Sequence, residues 1–324
     1  MEYFILKGKR VAIDTNIKEQ IEANADFLNP NHNSNLNDVS TFIHQLNNFI
    51  DGKLELSVKG IEERLDLLIG YYTLTLDFPQ PKGIKILRAR KFEEGSRDNN
   101  PYFKKVDQLS YPPSKFSSLG RCNKKGESVF YGCLYTDEIK GGINVAFSEI
   151  NALESERINI LKSISTDTIN LRYIGIYNHI FRDLKPYFLN DGVWEDLKAV
   201  DAYMKKKFEE DIFLAYQLCD AFFADILRRK GSEKLYYVTS VLSAMYLESG
   251  KADGILYTSV KSEGSPVVAL SICAVHSKIK YVKTESFEIV KSYGYAKYRA
   301  KKLYDGEIEK SYNIKWTPVQ NGLI

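Results

Sequence analysis

Apolar residues recur every three or four positions through much of the first eighty residues, which is the spacing of one helix face. This periodicity predicts helices over about residues 17–27, 38–50 and 61–70. Asp38 can cap the second helix, and an Asn-rich loop is predicted over residues 30–37 before it. The beginning of the chain is therefore expected to be mainly helical.

Pro79, Pro81 and Gly83 then interrupt the helical pattern. We predict two parts on either side of this boundary. Residues 1–80 form a small, mostly helical N-terminal extension or cap, and residues 81–324 form a larger domain.

Beyond the boundary, short apolar runs between glycine, proline and polar turns predict β-strands. Alternating runs at 158–164 and 169–174 predict an antiparallel pair, and 281–290 predicts closing strands before a polar, irregular tail. Two helices are expected between about 194 and 229, and one over 232–247. Because strands and helices interleave without a regular β-α-β repeat, the predicted fold class is α+β, a mixed split β-sheet with flanking helices.

The charge and hydrophobic composition of the chain limit the kinds of partner that it is expected to bind. The chain has 324 residues, 44% of them hydrophobic, with 45 basic and 42 acidic residues, a net charge of +3. This balance does not favour binding to nucleic acid or to an anionic membrane. No apolar run is long enough to span a membrane and no leader-like segment begins the sequence, so a cytoplasmic protein is expected.

The cysteine and histidine residues argue against several kinds of catalytic and metal site. The four cysteines show no C-x-x-C spacing, so neither a zinc site nor a disulfide framework is expected, and no metal site is predicted. The four histidines form no motif with a nucleophile. The G-x-S-x-G, P-loop and G-x-G-x-x-G signatures are absent from the sequence.

Two basic segments are candidates for an anion site. Arg88 and Arg90 lie two residues apart, so on a strand they share one face and one of them can clamp a phosphate. A solvated charged face is the plainer interpretation of such a pair. The segment Gly120-Arg121-Cys122-Asn123, followed by Gly126, predicts a tight loop that offers Arg121 and backbone amides to an anion. An ordinary turn on a basic surface explains it equally well.

Tyr131, Glu149 and the segment around Ser259 are further candidates, and the first two each have a structural alternative. Tyr131 lies on a predicted strand, where a core aromatic is the default. Glu149 is by default a surface or helix-capping acid. An apolar strand runs from Gly254 through Tyr257 into Ser259.

Taken in order, these segments resemble the RES domain family, which is named for an arginine, a glutamate and a serine. The family has an arginine strand, a Gly-Arg-x-Asn loop, a tyrosine strand, a glutamate and a late Asp-Gly-Ile-x-Tyr-x-Ser segment. The matching positions run from about residue 84 to 285 and are Arg88, Gly120-Arg121-Cys122-Asn123, Tyr131, Glu149 and Asp253-Gly254-Ile255-Leu256-Tyr257-Thr258-Ser259.

One departure concerns the carboxylate. Tyr131 and Glu149 are 18 positions apart (149 − 131), which is longer than expected for the family, and Glu138 in this gap competes for the role. We prefer Glu149 because its neighbours Ala146, Phe147 and Ile150 are apolar and can fix the side chain in a cleft.

The resemblance implies that residues 81–324 form an NAD+-binding catalytic domain with an ADP-ribosyltransferase-like fold. It implies a toxin that cleaves the nicotinamide–ribose bond of NAD+, as a glycohydrolase or phosphorylase, and that pairs with an antitoxin protein. The alternatives are an ADP-ribosyltransferase that modifies a protein acceptor and an inactive nucleotide-binding module. NAD+ is then the substrate, and no cofactor is expected.

The resemblance also suggests a role for each residue. Glu149 stabilises the oxocarbenium-like ribosyl centre, and Ser259 binds the ribose or orients Glu149. Tyr131 stacks on the nicotinamide or ribose. The remaining residues bind the substrate, chiefly its pyrophosphate, and are Arg121 and Arg88, with Arg90 in reserve, together with Asn123 and Tyr257.

Overall fold

The computed structural model describes residues 3–6, 9–74, 77–92, 103–135, 142–248, 250, 252–259, 261–262 and 264–323. The chain divides into two compact units. The first, here called the helical unit, comprises Met1–Leu76 and Tyr173–Met245. The second, the sheet unit, comprises Asp77–Arg172 and Tyr246–Ile324.

The helical unit contains one β-hairpin and a set of helices. The hairpin strands are β1 (Tyr3–Leu6) and β2 (Lys9–Ala12). The helices are α1 (Thr15–Leu28), α2 (His32–Ile50), α3 (Val58–Tyr72), α5 (Ile176–Phe181), α6 (Asp191–Lys207), α7 (Glu210–Arg228) and α8 (Glu233–Glu248), the last of which runs into the sheet unit.

The predicted helical spacing is confirmed in the first three helices. On α3, for example, Ile61, Leu65 and Leu68 are buried on one face. Asp14 caps α1 by accepting the Asn16 N–H, and Ser57 caps α3 by accepting the Gly60 N–H at 3.0 Å. The two helices predicted between 194 and 229 and the one over 232–247 are also present, as α6, α7 and α8.

The Asn-rich loop predicted over residues 30–37 is wrong in most of its length, since α2 already begins at His32. Asparagine is a weak helix former, but its cost is only a fraction of 1 kcal/mol per residue. The buried face of α2 from Val39 to Phe49 outweighs that cost. Asn35 also gains partners, because its amide donates to the Leu28 carbonyl at 3.1 Å and its Oδ1 accepts the Tyr72 hydroxyl at 2.8 Å.

The sheet unit is built on a mixed sheet of ten described strands flanked by helices, so the α+β class is confirmed. The strand order is β12-β11-β10-β6-β4-β5-β9-β8-β7-β3. The strands are β3 (Asp77–Gln80), β4 (Lys85–Lys91), β5 (Val129–Tyr135), β6 (Arg157–Ser165), β7 (Ile169–Tyr173), β8 (Gly254–Thr258), β9 (Pro266–Ser271), β10 (Ile279–Gly294), β11 (Lys297–Ile308) and β12 (Ile314–Leu323). Its described helices are α4 (Gly142–Glu149) and α9 (Ile272–Lys278).

Two predictions about the strands are wrong, one about pairing and one about the end of the chain. The strands β6 and β7 do not pair with each other, because β6 lies between β10 and β4 whereas β7 lies between β8 and β3. A short turn permits a hairpin but does not require one, and both strands instead bury apolar side chains against other neighbours. The tail predicted as irregular forms β11 and β12, whose polar residues sit on the exposed side of an antiparallel sheet edge.

The sheet separates at its centre. Strands β4 and β5 are paired only from Lys85 to Leu87, opposite Tyr135 to Cys133. Beyond Leu87, β4 remains paired with β6, and β5 remains paired with β9. The two strands therefore leave a gap, the β4–β5 gap, between Arg88 and Tyr131.

The predicted domain boundary at residue 80 lies close to the division at residues 76 and 77. The helices over 173–245, however, group with the N-terminal residues rather than with the rest of 81–324. Among the described residues, no helix has the length and apolar character needed to cross a membrane.

One prediction concerns Asp201 on α6. Burial raises its pKa to about 6, while Lys205 acts in the opposite direction, and its Oδ1 has no hydrogen-bond partner within the described part of the chain. A raised carboxyl pKa gives stability that is complete below about pH 4 and is lost as the pH rises through about 6. We expect Asp201→Asn to stabilise the protein at pH 7 by about 1 kcal/mol, a value reduced for partial exposure, and the gain to vanish near pH 4. Urea unfolding at both pH values, with the exposed Asp66→Asn as control, measures this; a gain that does not depend on pH would contradict it.

Candidate active site

The side of the sheet on which each candidate lies follows from strand register. Successive residues of a strand face opposite sides, and paired residues share a side. Helix α4 packs on the side of Phe287, since the Phe147 and Phe287 rings are 5.6 Å apart. Through the registers of β10, β6, β4 and β5, this side, here called the α4 face, also carries Leu87, Cys133 and Tyr131.

The register of β5, β9 and β8 extends the α4 face to the serine segment. Cys133 is paired with Val267, and Val267 with Tyr257, so Tyr257 lies on the α4 face. Ser259 follows two residues later, directly after the end of β8. The structure therefore brings the tyrosine strand, the serine segment and the glutamate helix to one side of the sheet.

Glu149 and Ser259 are in contact. The Ser259 hydroxyl donates a short hydrogen bond to Glu149 Oε1, and Ser259 is 2% exposed. The same hydroxyl oxygen accepts the backbone N–H groups of Lys261 at 3.1 Å and Ser262 at 3.2 Å. Because two amides fix the oxygen, the hydroxyl proton is directed at the carboxylate. Ser259 thus orients Glu149.

Glu149 is the last residue of α4, where a negative charge is unfavourable because the C-terminus of a helix carries partial negative charge. Lys261 offsets this, since its ammonium group donates to the Glu149 backbone carbonyl at 2.9 Å. Burial lowers the pKa of Lys261, Glu149 raises it, and Arg121 and Lys91 lower it, so the net shift is downward. Lys261 is therefore a cation held next to Glu149.

The loop that carries Arg121 is held by Tyr131. The Tyr131 hydroxyl accepts the Cys122 N–H at 2.7 Å and donates to Asn123 Oδ1 at 2.8 Å. The loop closes with the Gly120 N–H bonded to the Asn123 carbonyl at 3.0 Å. A Cβ on Gly120 would lie 2.4 Å from Asn123 Oδ1, so only glycine fits there.

Asn123 is buried and fully engaged within this loop. Its amide nitrogen donates to the carbonyls of Ser118 at 2.8 Å and Lys124 at 3.0 Å. The structure therefore places Asn123 as a support of the loop, and contact between its side chain and a substrate stays a prediction. Tyr131 is likewise engaged through its hydroxyl, which leaves its half-buried ring as the part that can contact a ligand.

The hydroxyl of Tyr257 is influenced by both the Arg121 loop and the carboxylate. Burial raises the pKa of its hydroxyl well above the usual value; the charge of Glu149 raises it further and that of Arg121 lowers it. Both charges are therefore within electrostatic range of one hydroxyl. Tyr131, Tyr257, Ser259 and Glu149 on the α4 face, together with Arg121 in the loop that Tyr131 holds, are here called the site cluster.

Arg88 lies at the β4–β5 gap and, like Arg90, faces away from the α4 face, because both alternate with Leu87 along β4. Its Nη1 donates to the Tyr131 carbonyl at 2.8 Å and its Nε donates to the Leu109 carbonyl at 3.1 Å. Burial, followed by the charge of Arg90, lowers the pKa of Arg88 to about 10, so it remains charged at neutral pH. A guanidinium has five N–H donors, of which these bonds use two.

Arg90 is separated from the site cluster. It faces away from the α4 face, donates to the Gln108 carbonyl and lies 5.3 Å from the Phe103 ring centroid. Glu138, the competing carboxylate, lies outside the described residues. The sequence patterns did not predict a role for Lys261. Its only signal in the sequence is its position two residues after Ser259, in a polar turn.

Two residues of the serine segment have structural roles. The Asp253 carboxylate accepts the Asn170 N–H at 2.7 Å and pairs with Lys278 at 2.6 Å, which joins the start of β8 to β7 and α9. A Cβ on Gly254 would lie 2.7 Å from the Ala269 carbonyl, so glycine is needed for close pairing with β9.

No protein-family model matches this sequence, and no curated protein is significantly similar to it. Within the described part of the chain, no group of three or more His, Cys, Asp and Glu side chains can hold a metal ion.

The role of Tyr131 in holding the loop is testable by Tyr131→Phe. The change leaves the Cys122 N–H and Asn123 Oδ1 without their partner, so we expect a loss of about 1–3 kcal/mol in unfolding free energy. Tyr135→Phe is the matched control, since Tyr135 lies on the same strand and face and its hydroxyl has no hydrogen bond among the described residues. Equal stability of the two variants in urea unfolding would show that the hydroxyl does not hold the loop.

Proposed function

We propose that this protein consumes NAD+ by cleaving its nicotinamide–ribose bond, with Glu149 as the catalytic carboxylate. The proposal rests on one observation: Ser259 orients the carboxylate of Glu149 at the C-terminus of α4. A helix end disfavours this charge, so its retention beside a buried serine points to chemistry rather than to stability.

The reaction suits the residues of the site cluster. The nicotinamide of NAD+ is a cationic leaving group, so its departure needs no strong general acid. The transition state carries positive charge at the ribosyl centre, and an oriented carboxylate stabilises that charge. Ser259 maintains the orientation of Glu149 as the bond breaks.

Cationic groups are available for the pyrophosphate. Arg121 lies within electrostatic range of Tyr257 and Lys261, and Arg88 retains N–H donors beyond its two backbone contacts. Guanidinium groups bind phosphate oxygens through paired N–H donors. In this proposal Arg121 holds the pyrophosphate and Arg88, which faces away from the α4 face, reaches it through the β4–β5 gap. Tyr131 and Tyr257 line the site, and Arg90 takes no direct part.

The resemblance to the RES domain family supports the same activity, because its five ordered segments supply the site cluster and Arg88. The separation of β4 from β5 supports an ADP-ribosyltransferase-like fold. On this basis we further propose that the protein is a toxin that a protein antitoxin neutralises. Growth arrest on expression, relieved by Glu149→Gln, is the expected result in cells.

Glu149→Gln tests the catalytic role. It keeps the shape of the side chain and the hydrogen bond from Ser259 but removes the charge, so we expect nicotinamide release to fall by about a hundredfold or more. Purified protein is incubated with NAD+, with and without phosphate, and nicotinamide and the ribosyl product are measured by chromatography. Glu307→Gln, on the exposed surface of β11, is the matched control and should retain full activity.

The products of this assay separate the acceptors. ADP-ribose indicates water, ADP-ribose phosphate indicates phosphate, and label attached to a polypeptide from radioactive NAD+ indicates a protein. Full activity in Glu149→Gln together with loss in Glu138→Gln would transfer the catalytic role to Glu138. No turnover of NAD+ with any acceptor would contradict the proposed function.

Ser259→Ala tests the orientation of Glu149. Since Ser259 holds the carboxylate through one hydrogen bond, we expect kcat to fall by about ten- to a hundredfold with little change in KM. Ser265→Ala is the control, because Ser265 belongs to the same turn but donates to the Ser262 carbonyl at 2.8 Å instead. A rise in KM alone would show that Ser259 binds substrate and does not orient Glu149.

A further inference from the structure

The end of the β10–β11 hairpin has an unusual composition. Residues 291–299, here called the hairpin tip, read Lys-Ser-Tyr-Gly-Tyr-Ala-Lys-Tyr-Arg. Three of these nine residues are cationic, three are tyrosines and none is acidic. The hairpin tip therefore has a local excess of positive charge, although the whole chain has a net charge of only +3.

The cationic side chains of the hairpin tip form no ion pair with a described residue. Lys291 is paired across the strands with Arg299, and like charges in this position repel each other. Lys291, Lys297 and Arg299 are all exposed, and none has an ion-pair partner among the described residues. One carboxylate touches the hairpin tip, since Glu154 accepts the Ser292 N–H at 3.2 Å, and Glu288 lies opposite Lys301 toward the base of the hairpin.

The turn of the hairpin is also unfavourable. Gly294 is paired with Lys297, which leaves Tyr295 and Ala296 as a two-residue turn with φ values of 50° and 54°. Both positions are left-handed, and such turns strongly favour Asn-Gly. Tyr295 is 86% exposed, so no burial of its ring offsets the strain.

The three tyrosines differ in their surroundings. The Tyr298 ring packs edge-on against Phe147, with centroids 5.7 Å apart, and anchors the hairpin to α4. Tyr293 and Tyr295 are 59% and 86% exposed. Two exposed tyrosines therefore lie beside three cations that have no ion pair within the described part of the chain.

We propose that the hairpin tip binds single-stranded nucleic acid. Lys291, Lys297 and Arg299 contact successive phosphates, and Tyr293 and Tyr295 stack on bases, which is the combination that proteins use for single strands. Two of the three cations are lysines, which are depleted at protein–protein interfaces, so phosphates suit this surface better than an acidic protein does. Bound phosphates relieve the repulsion between Lys291 and Arg299. This inference is independent of the proposed NAD+ chemistry.

The test is fluorescence anisotropy of the full chain with labelled oligouridine and oligothymidine of about twelve nucleotides. With three phosphate contacts, log K is expected to fall with log salt concentration with a slope of about −2. Lys291→Ala with Arg299→Ala should weaken binding and reduce the slope by about 1.4. Lys205→Ala with Lys206→Ala removes the same charge from exposed positions on α6 and should leave binding unchanged.

A turn variant separates binding from folding. Tyr295→Asn with Ala296→Gly supplies the residues that the turn favours, so Tm should rise. It also removes one stacking ring, so affinity should fall by about tenfold. A rise in stability together with a loss of affinity cannot result from damage to the fold.

Three results would overturn the inference: no binding of either oligonucleotide, binding that the hairpin variants leave unchanged, or equal losses in the α6 variant. Polyglutamate that competes as well as RNA, with no effect of the turn variant, would show an acidic protein surface as the partner and exclude nucleic acid. The NAD+ assay on the hairpin variants should remain unchanged, which keeps the two proposals separate.

Discussion

The separation of β4 from β5 after Leu87 is the constraint from which the site follows. Once the strands diverge, the Tyr131 carbonyl loses its partner on β4, and Arg88 supplies a donor in its place at 2.8 Å. The half-buried guanidinium of Arg88 is tolerated because it is hydrogen-bonded, although desolvation lowers its pKa to about 10. The same divergence allows the Arg121 loop to attach to Tyr131 beside the α4 face.

The position of Glu149 shows a conflict between stability and chemistry. A carboxylate at the C-terminus of α4 opposes the helix dipole, and an alanine there would suit the helix better. Ser259 and Lys261 reduce the cost, one by a hydrogen bond to the side chain and the other through the helix carbonyl. The hairpin tip shows a similar conflict, in its turn and in its paired cations. At both places the residues present are not those that the local backbone and charge would favour, which is typical of functional sites.

Much of the fold was predictable because local patterns dominate it. The spacing of Ile61, Leu65 and Leu68 places them on one helix face in any context, and the short apolar runs predicted a sheet. Pairing was not predictable in the same way. The partners of β6 and β7 depend on packing between segments far apart in sequence, and the polar tail becomes strand only because β10 provides an edge to pair with.

The sequence by itself determined which chemical groups are present and their order along the chain, and it identified Glu149 and Ser259 as candidates. Only the tertiary structure decided which of them meet. The registers of the sheet bring Tyr131, Tyr257 and Ser259 to the face of α4 and turn both Arg88 and Arg90 away from it. The physical reason is that a strand alternates its side chains between two faces, so proximity depends on pairing partners that local sequence does not specify.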